Sequence, residues 1–278
     1  MADALAASPR RISHIVPETE PLILVDTFKR VPAGSFVFFL SHFHADHYSG
    51  LSKSWSRGTV YCSVVTARLL IAILRVNSAL VRGLDFDTEY EIASARVTLL
   101  DANHCPGAAM FLVKTKGGKT YLHTGDFRYD RSMSDHPVLR NGLIDVLFLD
   151  TTYYKPECVF RPQAEAIQNA VVIAQEACKE SGEHGRVLFL VGSYTIGKEK
   201  VVAALSKAFG WRVYASGRRR CILDCLQLEQ LNSGNLTDDP ADALIHIVPM
   251  NTIGIRDLPL SIFLSTASIR VTPNSGNL

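Results

Sequence analysis

The chain has 278 residues, of which 47% are hydrophobic, and it carries a formal net charge of +2. This length allows one large domain or two smaller ones. The net charge is too small to be an argument for nucleic-acid binding by itself. No apolar run approaches the roughly 18 residues that a membrane span needs. Because the first twenty residues lack an apolar signal core, we expect a loosely ordered leader there and six reduced cysteines in an intracellular compartment.

The first predicted elements are two short buried strands, Leu22 to Val25 and Phe36 to Leu40, separated by a Pro-Ala-Gly turn. Asp26 ends the first strand. Its carboxylate has two equally supported interpretations: it orients a ligand histidine from behind, or it forms an ordinary aspartate turn.

The second strand runs into a loop that holds three histidines and one aspartate between His42 and His47. In an extended segment alternate side chains point the same way, so His42 and His44 are predicted to share one side. Asp46 and His47 lie on the following turn and face another side of the same cavity. One short loop thus supplies ligands for two adjacent metal ions, an interpretation that the four ligand-type residues favour over a plain polar loop.

The same arrangement, an apolar strand followed by a metal-type ligand, occurs three more times. The strands and their ligands are Arg96 to Leu100 with His104, Thr120 to His123 with Asp126, and Val146 to Leu149 with Asp150. A single aspartate at a strand end is usually a turn former. Four such positions in one chain instead indicate a shared metal site.

From about residue 155 the pattern changes to alternating helix and strand, which predicts an α/β unit. A helix from Gln163 to Lys179 precedes a strand from Arg186 to Val191, and a second helix ends near Phe209. Further strands are predicted from Trp211 to Ala215 and from Leu244 to Val248.

Four stretches resemble the β-CASP branch of the metallo-β-lactamase fold, and within it the Artemis/Apollo-like DNA cross-link repair nucleases. They are His-Phe-His-Ala-Asp-His, Leu-Leu-Asp-Ala-Asn-His-Cys-Pro-Gly, His-Thr-Gly-Asp-Phe-Arg and Leu-Asp-Thr-Thr-Tyr. The resemblance covers about residues 22 to 255. It implies an α/β fold, an αββα sandwich with an inserted α/β β-CASP domain.

The resemblance also implies a site with one or two Zn²⁺ ions per chain. Its residues would be His42, His44, His104 and Asp126 for the first ion, and Asp46, His47 and a bridging Asp126 for the second. Asp46, Asp126 and Asp150 would be the catalytic acids, with Asp150 orienting ligands or relaying protons. The implied reaction is hydrolysis of phosphodiester bonds from a DNA 5′ end, in interstrand cross-link and double-strand break repair in the nucleus. The partner would be DNA that is damaged or has a free 5′ end. No association with a membrane is expected.

Two basic segments are candidate DNA contacts. Gly192 to Lys198 satisfies most of a phosphate-binding-loop pattern, but Glu199 replaces the hydroxyl residue that would bind magnesium. Since the family has a similar Tyr-Ser-Ile-Gly-Lys-Glu stretch, we expect Lys198 and the following helix N-terminus to contact the DNA backbone, with a plain strand-to-helix turn as the alternative. Arg218, Arg219 and Arg220 would contact phosphates or act in targeting, or else form a solvated turn.

The chain departs from the family near its end. The family's Ser-x-His-Ser-Ser type motif, which supplies a further histidine to the second metal, is absent, and the match is lost from about Leu258. We therefore expect a truncated or alternatively spliced product whose sandwich lacks strands, with unpaired edges and an exposed core face. The expected divisions are a leader over 1–20, the N-terminal part of the metallo-β-lactamase domain over 21–155, β-CASP over 156–258 and a divergent tail over 259–278.

Three functions remain open from the sequence. The first is the 5′ nuclease. The second is a catalytically defective isoform that binds zinc or DNA without cutting. The third is an RNA-processing or small-ester hydrolase of the same superfamily, which the Asp-Ala-Asn-His-Cys-Pro-Gly and Asp-Thr-Thr-Tyr stretches disfavour.

Overall fold

The computed structural model describes residues 14–181, 187–232 and 234–250, together with the backbone of two strands over 261–264 and 267–273. The chain divides into two compact units, the first ending at Tyr154 and the second beginning at Lys155. Among the described residues, no helix is long and apolar enough to cross a membrane.

The first unit contains two five-stranded sheets. The first sheet consists, in spatial order, of β1 (Ile15–Val16), β2 (Leu22–Val25), β3 (Phe36–Phe39), β4 (Val60–Ser63) and β5 (Val81–Leu84). It is parallel apart from the antiparallel pairing of β1 with β2. The second sheet consists of β6 (Glu89–Ile92), β7 (Ala95–Asp101), β8 (Ala109–Thr115), β9 (Thr120–His123) and β10 (Val146–Phe148). Its strands are antiparallel except for the parallel pair β9 and β10.

The main core of this unit lies between the two sheets. Phe39 of β3 and Phe111 of β8 meet edge to face, with ring centroids 5.1 Å apart, and Tyr61 of β4 stacks on Phe39. Val25 and Val97, one from each sheet, are fully buried in the same cluster. The apolar strands that the sequence predicted therefore bury their side chains against each other.

Helices cover the outer faces. Helix α1 (Val64–Ala72) packs along β4 and β5, and the side chain of Ser63 caps it by accepting a hydrogen bond from Thr66 N. Short helices α2 (Arg131–Asp135) and α3 (Pro137–Arg140) place Met133, Val138 and Leu139 against the outer face of the second sheet. The helix–sheet–sheet–helix arrangement confirms the predicted αββα fold.

Two strands of this unit, β5 and β6, lie where the sequence predicted none. Their sequences, Val-Arg-Gly-Leu and Glu-Tyr-Glu-Ile, are short and only half apolar, so they lack the apolar runs used to predict strands. The expected leader also differs from the structure, because residues 14–20 contribute β1, which pairs with β2. The rest of that leader lies outside the described residues.

Among the described residues β10 is an edge strand of its sheet. The side chains of Leu147 and Leu149 are 49% and 46% exposed, and Leu143 just before the strand is 89% exposed. An edge strand of this kind leaves backbone groups and apolar side chains available to a further strand.

The second unit is built on one six-stranded sheet. Its elements in chain order are α4 (Gln163–Glu180), β11 (Val187–Ser193), α5 (Glu199–Phe209), β12 (Val213–Tyr214), α6 (Gly217–Leu226), β13 (Leu236–Thr237), β14 (Ile245–Pro249), β15 (Ser261–Leu264) and β16 (Ala267–Pro273). The strand order is β13-β12-β14-β11-β16-β15, parallel from β13 to β11 and antiparallel beyond it. Short 3₁₀ helices are Ser78–Leu80 in the first unit, and Glu229–Leu231 and Pro240–Asp242 in the second.

One expectation for this unit needs correction. The three arginines from 218 to 220 lie in the first turns of α6 rather than in a solvated turn, because Ile222, Leu223 and Leu226 give that segment a buried helical face. The expected divergent tail contributes β15 and β16 to the sheet, and its remaining residues lie outside the described part of the chain.

Candidate metal centre

The histidine-rich loop follows β3 and is fixed by its own backbone. The amides of His47 and Tyr48 both donate to the carbonyl of His44, at 3.1 and 3.0 Å, which closes a tight turn. Phe43 is fully buried and packs against Tyr48. Because Phe43 points into the core, its neighbours His42 and His44 are directed to the other side of the chain.

Three imidazole nitrogens converge beside this loop. His42 Nε2 lies 2.9 Å from His44 Nδ1, and His104 Nε2 lies 3.2 Å from the same atom. Asp126 Oδ2 completes the group, 3.9 Å from His42 Nε2 and 3.8 Å from His104 Nε2. The structure thus brings together all four residues that the sequence proposed for a first ion.

The chemistry of this group fits a cation. Two ring nitrogens share at most one proton, so His44 Nδ1 cannot make a full hydrogen bond with both of its neighbours. Burial, followed by the nearby His47, His44 and His104, lowers the pKa of His42 below its ordinary value. Burial and His44 also lower the pKa of His104. Neutral imidazoles are the form that binds a metal ion.

A second, smaller group lies next to the first. His47 Nε2 is 3.3 Å from Asp126 Oδ1 and 3.7 Å from Asp46 Oδ2. The two oxygens of Asp126 therefore face different ligand sets. Asp46 is 80% exposed, so this second group opens towards solvent.

Asp26 and Ser41 orient two of these rings from behind. The carboxylate of Asp26, which is 3% exposed, accepts hydrogen bonds from Ser41 N, Ser41 Oγ and His47 Nδ1 at 2.7, 2.6 and 2.8 Å. Since the Ser41 hydroxyl donates to Asp26, His42 Nδ1 donates to Ser41 Oγ at 2.9 Å. Both rings are thereby held with Nε2 towards the ligand groups.

These contacts also set the charge of His47. Burial alone would lower its pKa, but hydrogen bonds to Asp126 and Asp26 outweigh burial and raise the pKa of His47 to about 10. The same hydrogen bond from His47 is the main cause that lowers the pKa of Asp126. Near neutral pH these shifts favour the charged forms of both side chains, an imidazolium beside a carboxylate.

Gly125 and Ser41 bring the two sheets together at the site. A Cβ on Gly125, whose φ is +53°, would lie 2.7 Å from Ser41 Cβ, so no other side chain fits there without a shift. The carbonyl of Ser41 accepts a hydrogen bond from Ala109 N of β8 at 2.9 Å. Because Asp126 directly follows Gly125, this close contact places its carboxylate near the histidines.

Asp150 lies at the end of β10, where its amide donates to Thr124 Oγ1 at 3.0 Å and its Oδ1 accepts from Thr152 N at 2.9 Å. Its charge acts to raise the pKa of His104. Asp150 therefore lies near enough to the ligand groups for its charge to act on His104.

Sequence reasoning missed two participants, Ser41 and Cys105. Ser41 directly precedes His42, and that adjacency is the one signal the sequence held. The sulfur of Cys105 and one nitrogen each of His42, His44 and His104 all lie within 4.8 Å of one another. Cys105 directly follows His104, but neighbours on an extended chain face opposite ways, and only the turn brings both to one side.

The candidate DNA contacts lie in the second unit and differ in how they are held. Lys198 Nζ donates to the carbonyl of Gly192 at 3.2 Å and sits 5.6 Å from the centre of the Tyr194 ring. Arg219 donates to the carbonyls of Thr195 and Tyr194 at 2.7 and 2.6 Å. The other two arginines are less enclosed: Arg220 pairs with Asp224 at 3.1 Å, and Arg218 is exposed.

The chain matches the family model of the beta-lactamase superfamily domain over residues 23–189. It is 42% identical over 225 residues to the DNA cross-link repair protein SNM1 of Arabidopsis thaliana, a match covering 81% of this chain and 46% of that protein. It is 36% identical over 241 residues to the 5′ exonuclease Apollo of Gallus gallus, covering 86% of this chain and 50% of that protein. The chain thus spans about half the length of these relatives.

A likeness in structure agrees with this on the level of the fold. A crystal structure of a protein of unknown function from Enterococcus faecalis superposes with a TM-score of 0.51 at 16% identity, covering 77% of this chain and 58% of that one. Taken with the ligand geometry and the sequence matches, the chain belongs to the metallo-β-lactamase superfamily and is homologous to its DNA cross-link repair proteins.

Proposed function

We propose that this protein is a metal-dependent nuclease that hydrolyses phosphodiester bonds from the 5′ end of DNA. The observation that carries the proposal is the placement of Asp126, with Oδ1 3.3 Å from His47 Nε2 and Oδ2 3.8 Å from His104 Nε2. A carboxylate that faces two ligand groups is the bridging arrangement expected of a two-ion hydrolase. The similarity to proteins named for cross-link repair and 5′ exonuclease activity supports DNA as the substrate.

The donor set suits one or two zinc ions per chain, because zinc favours imidazole nitrogen with carboxylate oxygen. When bound, such ions activate water for attack and stabilise charge on the phosphodiester oxygens. The chain's own residues bind and orient: His42, His44 and His104 hold one position, and Asp26 fixes His47 for the other. Asp46, Asp126 and Asp150 are the acids that we assign to catalysis, the first two as ligands and Asp150 as an orienting or proton-relaying group.

We extend the proposal to the second unit, which we assign to the β-CASP region of the family. Arg218, exposed in the first turn of α6, and Lys198, before the N-terminus of α5, would contact DNA phosphates. Arg219 and Arg220 belong to the same basic segment. The biological setting proposed from the relatives is the repair of interstrand cross-links and double-strand breaks in the nucleus.

The test is to measure zinc per chain by mass spectrometry together with cleavage of 5′-phosphorylated single-stranded DNA. The wild-type protein is expected to hold zinc and to cleave, and His44→Ala to lose both. His136→Ala is the matched control, since His136 is a half-buried histidine of the same unit that pairs with Asp87 instead. The control is expected to retain zinc and activity.

Each other result contradicts a part of the proposal. Undiminished cleavage by His44→Ala would overturn the metal assignment. Zinc binding with no cleavage by the wild-type protein would overturn the nuclease activity in favour of a non-catalytic form. Faster turnover of RNA or of a small ester than of DNA would overturn the substrate assignment.

A further inference from the structure

We propose that a basic pocket beside the metal centre binds a phosphodiester group of the DNA strand, with Lys29 and Arg57 as its phosphate contacts. This inference rests on the proposed function, since it names a further place where that substrate is held. The pocket has a volume of about 230 Å³, and its lining includes Phe28, Lys29, Ser54, Trp55, Ser56 and Arg57. It lies outside the motifs that carry the metal ligands.

Two segments that leave the metal centre form this pocket. The first continues from Asp26, whose carboxylate holds His47, and reaches Lys29 after three residues. The second continues from His47 and reaches Gly50 after three residues. The two segments touch, because a Cβ on Gly50 would lie 2.5 Å from the carbonyl carbon of Phe28. Since three residues span at most about 11 Å, both segments bring the pocket close to the ligand groups.

The charge of these segments is unbalanced. Residues 27 to 58 include four cationic residues and one acid, which are Lys29, Arg30, Lys53, Arg57 and the proposed ligand Asp46. All four cationic side chains are exposed. The ion pairs among the described residues involve none of the four, whereas Arg96 and Arg220 each pair with a carboxylate. Cationic side chains without an acidic partner in the protein are available to a phosphate backbone.

The floor of the pocket is already formed. Trp55 is buried, and its ring meets those of Phe28 and Phe38 edge to face, with centroids 5.5 and 4.9 Å apart. Its Nε1 donates to the carbonyl of Gly58 at 2.8 Å, and its backbone N donates to the carbonyl of Ser52 at 3.0 Å. A rigid floor needs little ordering when a ligand binds. The pocket is smaller than the about 300 to 1,000 Å³ that encloses a whole small molecule, so it fits one group of a longer chain.

The test measures how the zinc-loaded protein binds single-stranded DNA with phosphorothioate linkages, which resist cleavage, by fluorescence anisotropy at several salt concentrations. Each lost contact between a cation and a single-strand phosphate lowers the slope of log affinity against log salt by about 0.7. The double variant Lys29→Ala/Arg57→Ala is therefore expected to lower the slope by about 1.4. Arg96→Ala/Lys116→Ala is the control and should keep the slope. These two exposed cations lie at the ends of β7 and β8 that are remote from the metal ligands.

Steady-state cleavage of ordinary single-stranded DNA gives an independent readout. Because the two side chains are proposed to hold the strand in the ground state and the transition state alike, the double variant is expected to raise KM by about 10-fold and to leave kcat within about twofold. A fall in kcat with an unchanged KM would overturn the binding role.

The outcomes separate this inference from the proposed function. Wild-type slope and affinity in the double variant would overturn the pocket and leave the nuclease intact. No DNA binding and no cleavage by the wild-type protein would overturn both. Vesicles of anionic lipid that bind the wild-type protein but not the double variant, with DNA binding unchanged, would assign the pocket to a membrane surface instead.

Discussion

Two polar loops of this molecule occupy similar places in the sequence, but their side chains have different hydrogen-bond partners in the structure. The loop after β3 in the first unit and the loop after β11 in the second both follow a buried strand and carry several polar side chains. In the first, the polar atoms of His42, His44 and His47 meet other ligand atoms. In the second, the side chains of Lys198 and the neighbouring Arg219 donate hydrogen bonds to backbone carbonyls.

The difference lies in which groups donate hydrogen bonds to the backbone carbonyls of each loop. The first loop closes its own turn through the His44 carbonyl, so its side chains are not needed to pair the main chain. In the second loop, Arg219 donates to the carbonyls of both Tyr194 and Thr195. The side chains of the first loop are therefore left available for a ligand, whereas the guanidinium of Arg219 is already engaged by the second loop.

The largest effect is expected for Asp26→Asn, which tests the support behind the first loop. The variant keeps the shape of the side chain. It replaces the charged carboxylate that accepts hydrogen bonds from His47 and Ser41 with a neutral amide. We expect zinc affinity to fall by about 10- to 100-fold, as for other partners that orient metal ligands. Competition with a coloured chelator measures this. Asp87→Asn, at an exposed carboxylate of the same unit, is the control. An unchanged affinity would make Asp26 an ordinary turn residue.

Arg219→Ala tests whether that arginine supports the second loop. Removing the guanidinium leaves the carbonyls of Thr195 and Tyr194 without their donor. We expect the free energy of unfolding to fall by about 2 kcal/mol, within the usual range for hydrogen bonds made by a charged donor. Urea denaturation measures it. If Arg219→Ala lost DNA affinity with no loss of stability, the arginine would be a DNA contact and the contrast between the loops would fail.

Glu199→Gln tests the charge beneath the second loop. Burial raises the pKa of Glu199 above its ordinary value of 4.5, although its own amide, that of Gly197, and Arg219 and Lys198 act in the opposite direction. A carboxyl with a raised folded pKa contributes stability at low pH that is lost as pH rises above the ordinary value.

The variant is therefore expected to gain stability relative to wild type between about pH 5 and pH 8. Urea midpoints at both pH values provide the measurement, with exposed Glu229→Gln as the control. Parallel pH profiles for Glu199→Gln and wild type would show that Glu199 ionises normally.

The smallest effect is expected for Arg218→Ala. Arg218 is exposed, so we expect a stability change below about 0.5 kcal/mol. If it contacts a phosphate, DNA affinity falls for all sequences alike and the slope of log affinity against log salt decreases by about 1. Fluorescence anisotropy at several salt concentrations measures the slope. An unchanged slope would remove Arg218 from the DNA interface.

The sequence predicted much of this because the decisive signals are local. An apolar strand followed within a few residues by His104 or Asp126 is visible without a structure, and the αββα fold is implied by the family that these motifs resemble. What it could not predict depends on contacts between distant segments. Asp26 meets Ser41 across 15 residues, and Arg219 meets Tyr194 across 25. The Cys105 sulfur lies near the histidines because of a turn whose Gly107 carbonyl accepts a hydrogen bond from Ser63, 44 residues earlier.

The contact of Ser41 with Ala109 and Gly125 has a consequence for how the molecule opens. These contacts join the ligand loop of one sheet to strands of the other, so the metal ligands lie on the seam of the sandwich. Separating the sheets disperses the ligands, and small local fluctuations of the loop do not. Cooperative opening of the sandwich therefore removes the metal site together with the fold, and amide hydrogen exchange at Ser41 should be as slow as that of the central strands.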